Sequence, residues 1–360
     1  MSVGQELKLL PCELSGATSI VTDRPIRDLG ENRLIARFRA LASASLGPGV
    51  IVGPGDDAAV LSADGDRLLL LACDMMVEGV HFRRHWATPR QIGWKAMAQN
   101  VSDIAAMGGS PFAAVASIAA PGDFPEAAAI DIADGLVAAA SRYGASIVGG
   151  DLVGSTGPLV VDVAITGWVP RDHLLLRRGA APGDAVLVTG SLGAAGAGLA
   201  VLEHGLKEPD SSLLADVLRA HHEPQPRLNE AWAIAVTGLA SAMMDLSDGL
   251  ADDLPRLCAE SGVGARIHAD AIPIAPACSW VARRLNLSDL AFALSGGEDY
   301  ELLLTSPQQA VPQLQRAVLD ATGAALTPIG EITAGEGITL MDAEGRQRPL
   351  GHGFEHFGDT

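Results

Sequence analysis

The chain is poor in lysine: its 360 residues contain only Lys8, Lys95 and Lys207. No G-x-x-x-x-G-K-[ST] run occurs, so the lysine-bearing P-loop cradle for phosphates is excluded. The four cysteines, Cys12, Cys73, Cys258 and Cys278, share no C-x-x-C or histidine-flanked spacing. That excludes a zinc site or disulfide framework read from spacing, and they are expected to be reduced thiols. Aromatic residues make up 4%. No apolar run approaches the roughly 20 residues of a membrane span, and the amino terminus lacks the basic start and hydrophobic core of a secretory signal. A cytoplasmic protein without membrane contact is expected. Basic residues are also scarce, and the net charge is -18. No nucleic-acid partner is expected, and an anionic substrate would have to arrive with metal.

What is present is apolar and small: 48% hydrophobic residues in an alanine- and valine-rich pattern, in a chain longer than one core usually supports. The pattern predicts a two-domain α/β protein. Residues 1–28 show no sustained period and read as a loose extension without a catalytic role. Glu31 to Ser45 reads as an amphipathic helix with Leu34, Ile35, Phe38 and Leu41 on one face, and Leu68 to Cys73 as a strand. Thr88-Pro89-Arg90-Gln91 combines an N-cap, a first-position proline and a capping-box glutamine, opening a helix to Met107 that carries Asn100 and Asp103 on one face. Further strands are expected at Ala145 to Val148 and Leu159 to Gly167, giving a first domain of residues 29–169. Strand Ala185 to Val188 then begins a second, residues 170–360, which includes strand Ala240 to Met244 and helix Leu250 to Glu260.

Aspartates stand at the edges of apolar or glycine-rich stretches: Asp56 and Asp57, Asp74, Asp103, Asp151, Asp245 and Asp248. Burying so much negative charge is costly unless cations neutralise it, and magnesium prefers such oxygen ligands. Any one of them also reads as a turn or N-cap residue; the set points to metal. Asp245 and Asp248 at a strand-to-helix junction could face one centre, with Ser247 and the Gly249 turn offering donors to a phosphate. The glycine-rich run Gly190 to Gly196 follows a strand and opens a helix, but its first gap is two residues, unlike a dinucleotide turn.

Five motifs carry a family resemblance: G-P-G-D-D-A-A-V-L at 53–61, N-V-S-D-I-A-A-M-G at 100–108, V-G-G-D at 148–151, M-D-L-S-D-G-L at 244–250 and L-S-G-G-E-D-Y-E-L at 294–302. From about residue 29 to 357 the chain resembles the thiamine-monophosphate kinases. The resemblance implies the α/β (α+β) fold of aminoimidazole ribonucleotide synthetase, with an N-terminal mixed α/β domain that binds ATP and magnesium and pairs in a homodimer, and a C-terminal α/β domain. It implies phosphorylation of thiamine monophosphate by ATP to thiamine diphosphate, the last step in making that compound, with several Mg2+ ions. By position, Asp57, Asp74, Asp103, Asp151, Asp245 and Asp248 match metal-binding residues. Gly150, Asp151, Arg177 and Ser247 match ATP contacts, and His81, Glu298 and Phe354 match acceptor contacts. The chain departs at Ala72 and Cys73, where relatives often carry hydroxyl residues; a thiol is a poor magnesium ligand, so metal contact there would use backbone carbonyls.

His81 also reads as an ordinary structural histidine, and Phe354 as an anchor for the tail. Glu298 has an independent case, since Glu298, Asp299 and Glu301 crowd one turn, where a carboxylate could face a cationic thiazolium. The acceptor phosphate, with a second pKa near ~6, is largely dianionic at neutral pH, so no general base or covalent nucleophile is expected and transfer would be direct and in line. The alternatives are another ATP-dependent synthetase of the superfamily, a metal-dependent phosphohydrolase, or a non-catalytic module that binds nucleotide or metal.

Overall fold

The computed structural model describes residues 31–207 and 212–351. The expectations for residues 1–28, including Cys12, and for Phe354 lie outside the described residues. The chain opens with helix α1 (Glu31–Ser43), followed by a six-stranded mixed sheet: β1 (Val50–Val52), β2 (Ala59–Ser62), β3 (Arg67–Val77), β4 (Ser110–Pro121), β5 (Ser146–Ser155) and β6 (Val160–Pro170). The strand order is β1-β2-β3-β6-β4-β5, with β4 and β5 parallel and the other neighbours antiparallel. Helices α2 (Pro89–Ala106) and α3 (Glu126–Arg142) cover one face.

The second sheet holds β7 (Asp184–Thr189), β8 (Ala242–Asp245), β9 (Gly264–His268), β10 (Leu302–Pro307), β11 (Leu326–Thr333), β12 (Ile338–Met341) and β13 (Gln347–Pro349), in the order β13-β12-β9-β11-β7-β10-β8. Around it lie α4 (Ala194–His204), α5 (Ser212–His222), α6 (Leu228–Ala235), α7 (Leu250–Ser261), α8 (Pro276–Leu285), α9 (Asp289–Ser295) and α10 (Val311–Thr322). No helix among the described residues is long and apolar enough to cross a membrane.

Helix α2 links the two cores. Its start is fixed locally: Thr88 Oγ1 accepts the Gln91 N–H, Gln91 Oε1 accepts the Thr88 N–H at 3.0 Å, and Pro89 sits at the first position. It crosses α3 at backbone contact, because a Cβ on Gly93 would lie 2.0 Å from the Ile132 carbonyl oxygen and one on Gly135 2.0 Å from that of Arg90. Its Val101 and Ile104 enter the core of the first sheet, and Ala105 enters the core around β7 and α6. Buried on nearly all sides, α2 nevertheless carries Lys95, Gln99, Asn100, Ser102 and Asp103, so these polar groups are forced toward whatever lies between the two units.

Two strands run further than the sequence suggests. Strand β3 continues past Cys73 to Val77 because β6 pairs with it along its whole length, from Arg67 opposite Pro170 to Val77 opposite Val160. Strand β5 continues through Gly149, Gly150 and Asp151 to Ser155 in parallel register with β4, so Asp151 lies within a strand rather than at a turn. Helix α1 forms, but Ile35, Phe38 and Leu41 of its apolar face are exposed.

Candidate active site

Three carboxylates from distant parts of the chain converge. Asp57 comes from the turn between β1 and β2, Asp103 from the last turns of α2, and Asp245 from the end of β8; one oxygen of each lies within 4.8 Å of the others. The Asp57 side chain is fully buried. Its Oδ1 accepts from Arg177 Nε at 3.1 Å, while Oδ2 is buried with no hydrogen-bond partner. Asp245 Oδ2 accepts from Ser102 Oγ at 2.5 Å. Asp56 shapes the turn, taking the backbone N–H of Asp57 at 3.1 Å and that of Arg177 at 3.2 Å on Oδ1.

The electrostatics follow from this crowding. Burial, then Asp74, Asp245 and Asp57, hold the Asp103 carboxyl well above the usual carboxylate range; burial and then Asp57 do the same to Asp245. Burial works against the Arg177 charge, but Asp57 beside it outweighs that and keeps the guanidinium protonated. One buried arginine against three clustered carboxylates leaves negative charge in excess. An orphaned buried carboxylate oxygen and a cage of hard oxygen donors fit a divalent cation of the magnesium type.

A cleft of about 280 Å³ is lined among others by Asp74, the neighbour that raises Asp103, and by His81, Ser247, Asp248, Gly297 and Glu298. Its wall at Asp74 is the edge of β3. Strand β2 pairs with β3 only as far as Leu71, so beyond it the Asp74 N–H donates to Asn100 Oδ1 at 3.1 Å and the Val77 N–H to His81 Nδ1 at 3.0 Å. The opposite wall is the segment after α9, held against the end of β8: the Glu298 N–H donates to the Ser247 carbonyl at 2.7 Å and the Tyr300 N–H to that of Leu246 at 2.9 Å. Glu298 and Tyr300 adopt left-handed backbone, φ 59° and 50°. Such strain in non-glycine residues persists only where the surroundings impose it, and it concentrates at functional sites. Glu298 Oε2 accepts from the buried Lys95 Nζ at 2.6 Å and lies 3.3 Å from His221 Nδ1. Burial alone would raise the Glu298 carboxyl; Lys95 and then His221 outweigh it and hold it below the usual carboxylate range.

Two family models cover most of the chain: "AIR synthase related protein, N-terminal domain" matches residues 55–169, and the corresponding C-terminal domain matches residues 181–343. Thiamine-monophosphate kinase of Escherichia coli K12 is 37% identical over 336 residues, 91% of this chain and 98% of the relative. The enzyme of that name from Mycobacterium tuberculosis H37Rv is 40% identical over 293 residues, 79% of this chain and 83% of the relative. The solved structure of AaThiL complexed with AMPPCP and TMP superposes with a TM-score of 0.80 at 31% identity, covering 93% of this chain and 99% of the other. The chain belongs to the thiamine-monophosphate kinase family. Its two domains have the aminoimidazole ribonucleotide synthetase fold, each built on a mixed sheet.

Against that family pattern, the residues singled out in the sequence fall into groups. Asp57, Asp103 and Asp245 meet, with Asp74 close enough to raise Asp103. His81, Ser247, Asp248 and Glu298 share the cleft. Asp248 is not in the carboxylate cluster: its Oδ2 is paired with Arg256 Nη1, so Asp245 and Asp248 do not face one centre. The donors of the Ser247 to Gly249 turn are also spoken for, which corrects the expected phosphate cradle: all three N–H groups donate to Asp253 Oδ2, at 3.0, 3.0 and 3.1 Å. Ala72 is buried, and the Cys73 thiol sits 3.4 Å from Asp162 Oδ1. Gly150 and Asp151 are exposed and do not line the cleft. Lys95, Ser102 and His221 were not singled out in the sequence. Their only local signal is a polar residue in an otherwise apolar buried helix, or a histidine pair ending α5.

Proposed function

We propose that this chain transfers the γ-phosphoryl group of ATP to the phosphate of thiamine monophosphate, giving ADP and thiamine diphosphate. The observation that carries the reading is the Asp57, Asp103 and Asp245 cluster beside Asp74, which lines the cleft that also holds Glu298, in a chain similar along almost its whole length to enzymes of that name. Asp57, Asp103 and Asp245 would hold Mg2+, with Asp74 and the backbone of Ala72 and Cys73 at the rim. A cation held there would screen and orient the phosphate oxygens of both substrates. The chain's own part is positioning. Arg177 balances Asp57 at the triphosphate end, the Ser247 hydroxyl and Asp248 line the path between, and His81 and Glu298 receive the acceptor, with Phe354 a further acceptor contact. A dianionic acceptor needs no general base, so alignment and charge screening supply the catalysis.

A homodimer belongs to this proposal, together with a division into residues 29–169 and 170–360. The face of the first sheet away from α2 exposes Leu71, Met75, Phe112 and Val115, and its edge strand exposes Val148 and Leu152, an apolar surface that a second copy would cover. The register supports a shared site. Met75, Asp162, Ser117 and Asp151 are directly paired across the sheet and so lie on that open face, whereas Asp74, one residue from Met75, lies on the other. Within one chain Asp151 and Asp74 cannot hold one ion. The open face reaches the cleft at Met75, so a second copy docked on that face is the proposed source of a Gly150 and Asp151 for the site.

The test is product analysis with ATP and Mg2+, with and without thiamine monophosphate. ADP should form only with the acceptor present, as thiamine diphosphate appears. Inorganic phosphate released without acceptor would mean a hydrolase, and no ADP under either condition would mean a binding module.

A further inference from the structure

Lys95 is one of three lysines in the chain and is buried at the site, 3% exposed. Burying an ammonium is costly, so its partner defines its purpose. That partner is Glu298, whose Oε2 receives Lys95 Nζ at 2.6 Å and faces His221 Nδ1 at 3.3 Å, while no described residue bonds Oε1. Lys95 is itself anchored, its Nζ reaching the His81 carbonyl at 3.4 Å, and the backbone of Glu298 is pinned by the Ser247 carbonyl. The carboxylate therefore has both a fixed backbone and one fixed oxygen. Its charge is also already compensated at contact distance, so it offers the cleft little net attraction for a cation. What it offers is one oriented acceptor atom.

We propose that Lys95 is a positioning residue that fixes Oε2 of Glu298 so that Oε1 alone receives an N–H donor of the acceptor's ring portion, making this a hydrogen-bond subsite rather than a charge-attraction one. The inference rests on the reading of Glu298 as an acceptor contact and adds to it which atom acts and which group aims it. In thiamine monophosphate the available donor is the exocyclic amine of the pyrimidine ring, and the positive charge sits on the thiazolium.

Two acceptor analogues separate the alternatives in the unmodified enzyme. In one, a carbonyl oxygen replaces the ring amine; in the other, a neutral thiophene replaces the thiazolium. Loss of the amine leaves a buried carboxylate oxygen facing a carbonyl, so the acceptor KM should rise about ten- to hundred-fold, while loss of the ring charge should change it by less than about threefold. The reverse order would overturn the inference and leave Glu298 a counter-ion. Failure of the enzyme to make thiamine diphosphate from the natural acceptor would instead overturn the kinase reading, so the two failures are distinct. Lys95→Met should raise the acceptor KM about tenfold or more with ATP KM unchanged, and should shrink the difference between the natural acceptor and the amine-free analogue. Lys95→Arg should restore part of that discrimination. If Lys95→Met folds and keeps the full discrimination, the aiming role is wrong; if it does not fold, the analogue comparison decides alone.

Discussion

Replacing Asp103 by asparagine should stabilise the cation-free protein while damaging its activity. The side chain keeps its shape and loses its charge. At about 4.8 Å from Asp57 and Asp245 in a medium of effective dielectric near 20, each like-charge pair repels by about 3.5 kcal/mol. Arg177 offsets part of this through Asp57, and the cluster relieves more by taking up protons, as the raised Asp103 and Asp245 carboxyls show. The relief left to the substitution is about 1–3 kcal/mol. In a protein of 360 residues that corresponds to about 1–4 °C in Tm. Scanning fluorimetry of wild type and Asp103→Asn, in EDTA and in saturating Mg2+, tests it. In EDTA the variant should melt higher; in Mg2+ the wild type should gain, by about 2.7 kcal/mol at a hundredfold excess over Kd, and the variant should gain little. A variant that melts lower in EDTA and responds to Mg2+ as the wild type does would refute the placement of Asp103 in a cation site.

Glu298→Ala should raise the acceptor KM while leaving the ATP KM nearly unchanged, whereas Asp245→Ala should lower kcat and alter magnesium dependence; steady-state kinetics varying each substrate would refute this if Glu298→Ala moved both KM values alike. Arg227→Ala removes the guanidinium whose Nε and Nη2 bond the buried Glu301 at 2.7 and 2.5 Å, and should cost about 3–5 kcal/mol by urea unfolding, with Glu301→Gln in the same chain recovering part of it. Asp299 is pushed up to about 7, chiefly by burial, from an ordinary value near 3.8. A raised acid stabilises below its unfolded pKa and loses that contribution as pH rises to its folded value, so wild-type Tm should fall between about pH 4 and 7 more steeply than that of Asp299→Asn; parallel profiles would contradict it.

The legible parts were those decided locally. Thr88, Pro89 and Gln91 announce the start of α2 because a capping box closes within four residues. The extents of β3 and β5 could not be read, since pairing with β6 and β4 set them, overriding the glycines at 149 and 150. Asp57, Asp103 and Asp245 stood out as acids in apolar surroundings. Lys95 did not, because its partner Glu298 lies 203 positions away and nothing near either residue names the other. Asp253 was hidden for a different reason: on a helix it looks like any first-turn acid, and only the folded turn shows its oxygen collecting three backbone donors.

That arrangement has a counterpart at the start of α4, where Asp299 takes the N–H groups of Gly193 and Ala195 at 2.6 and 3.2 Å. Both glycine turns that resemble phosphate cradles are thus filled by resident carboxyl groups, built into the chain and delivered by folding. A triphosphate arriving without its counter-ion meets occupied turns and a chain of net charge -18, and gains nothing from either. Two aspartates that need touch neither substrate thus close both turns to a bare triphosphate, and its reception would be left to a counter-ion that it carries to the Asp57, Asp103 and Asp245 cluster.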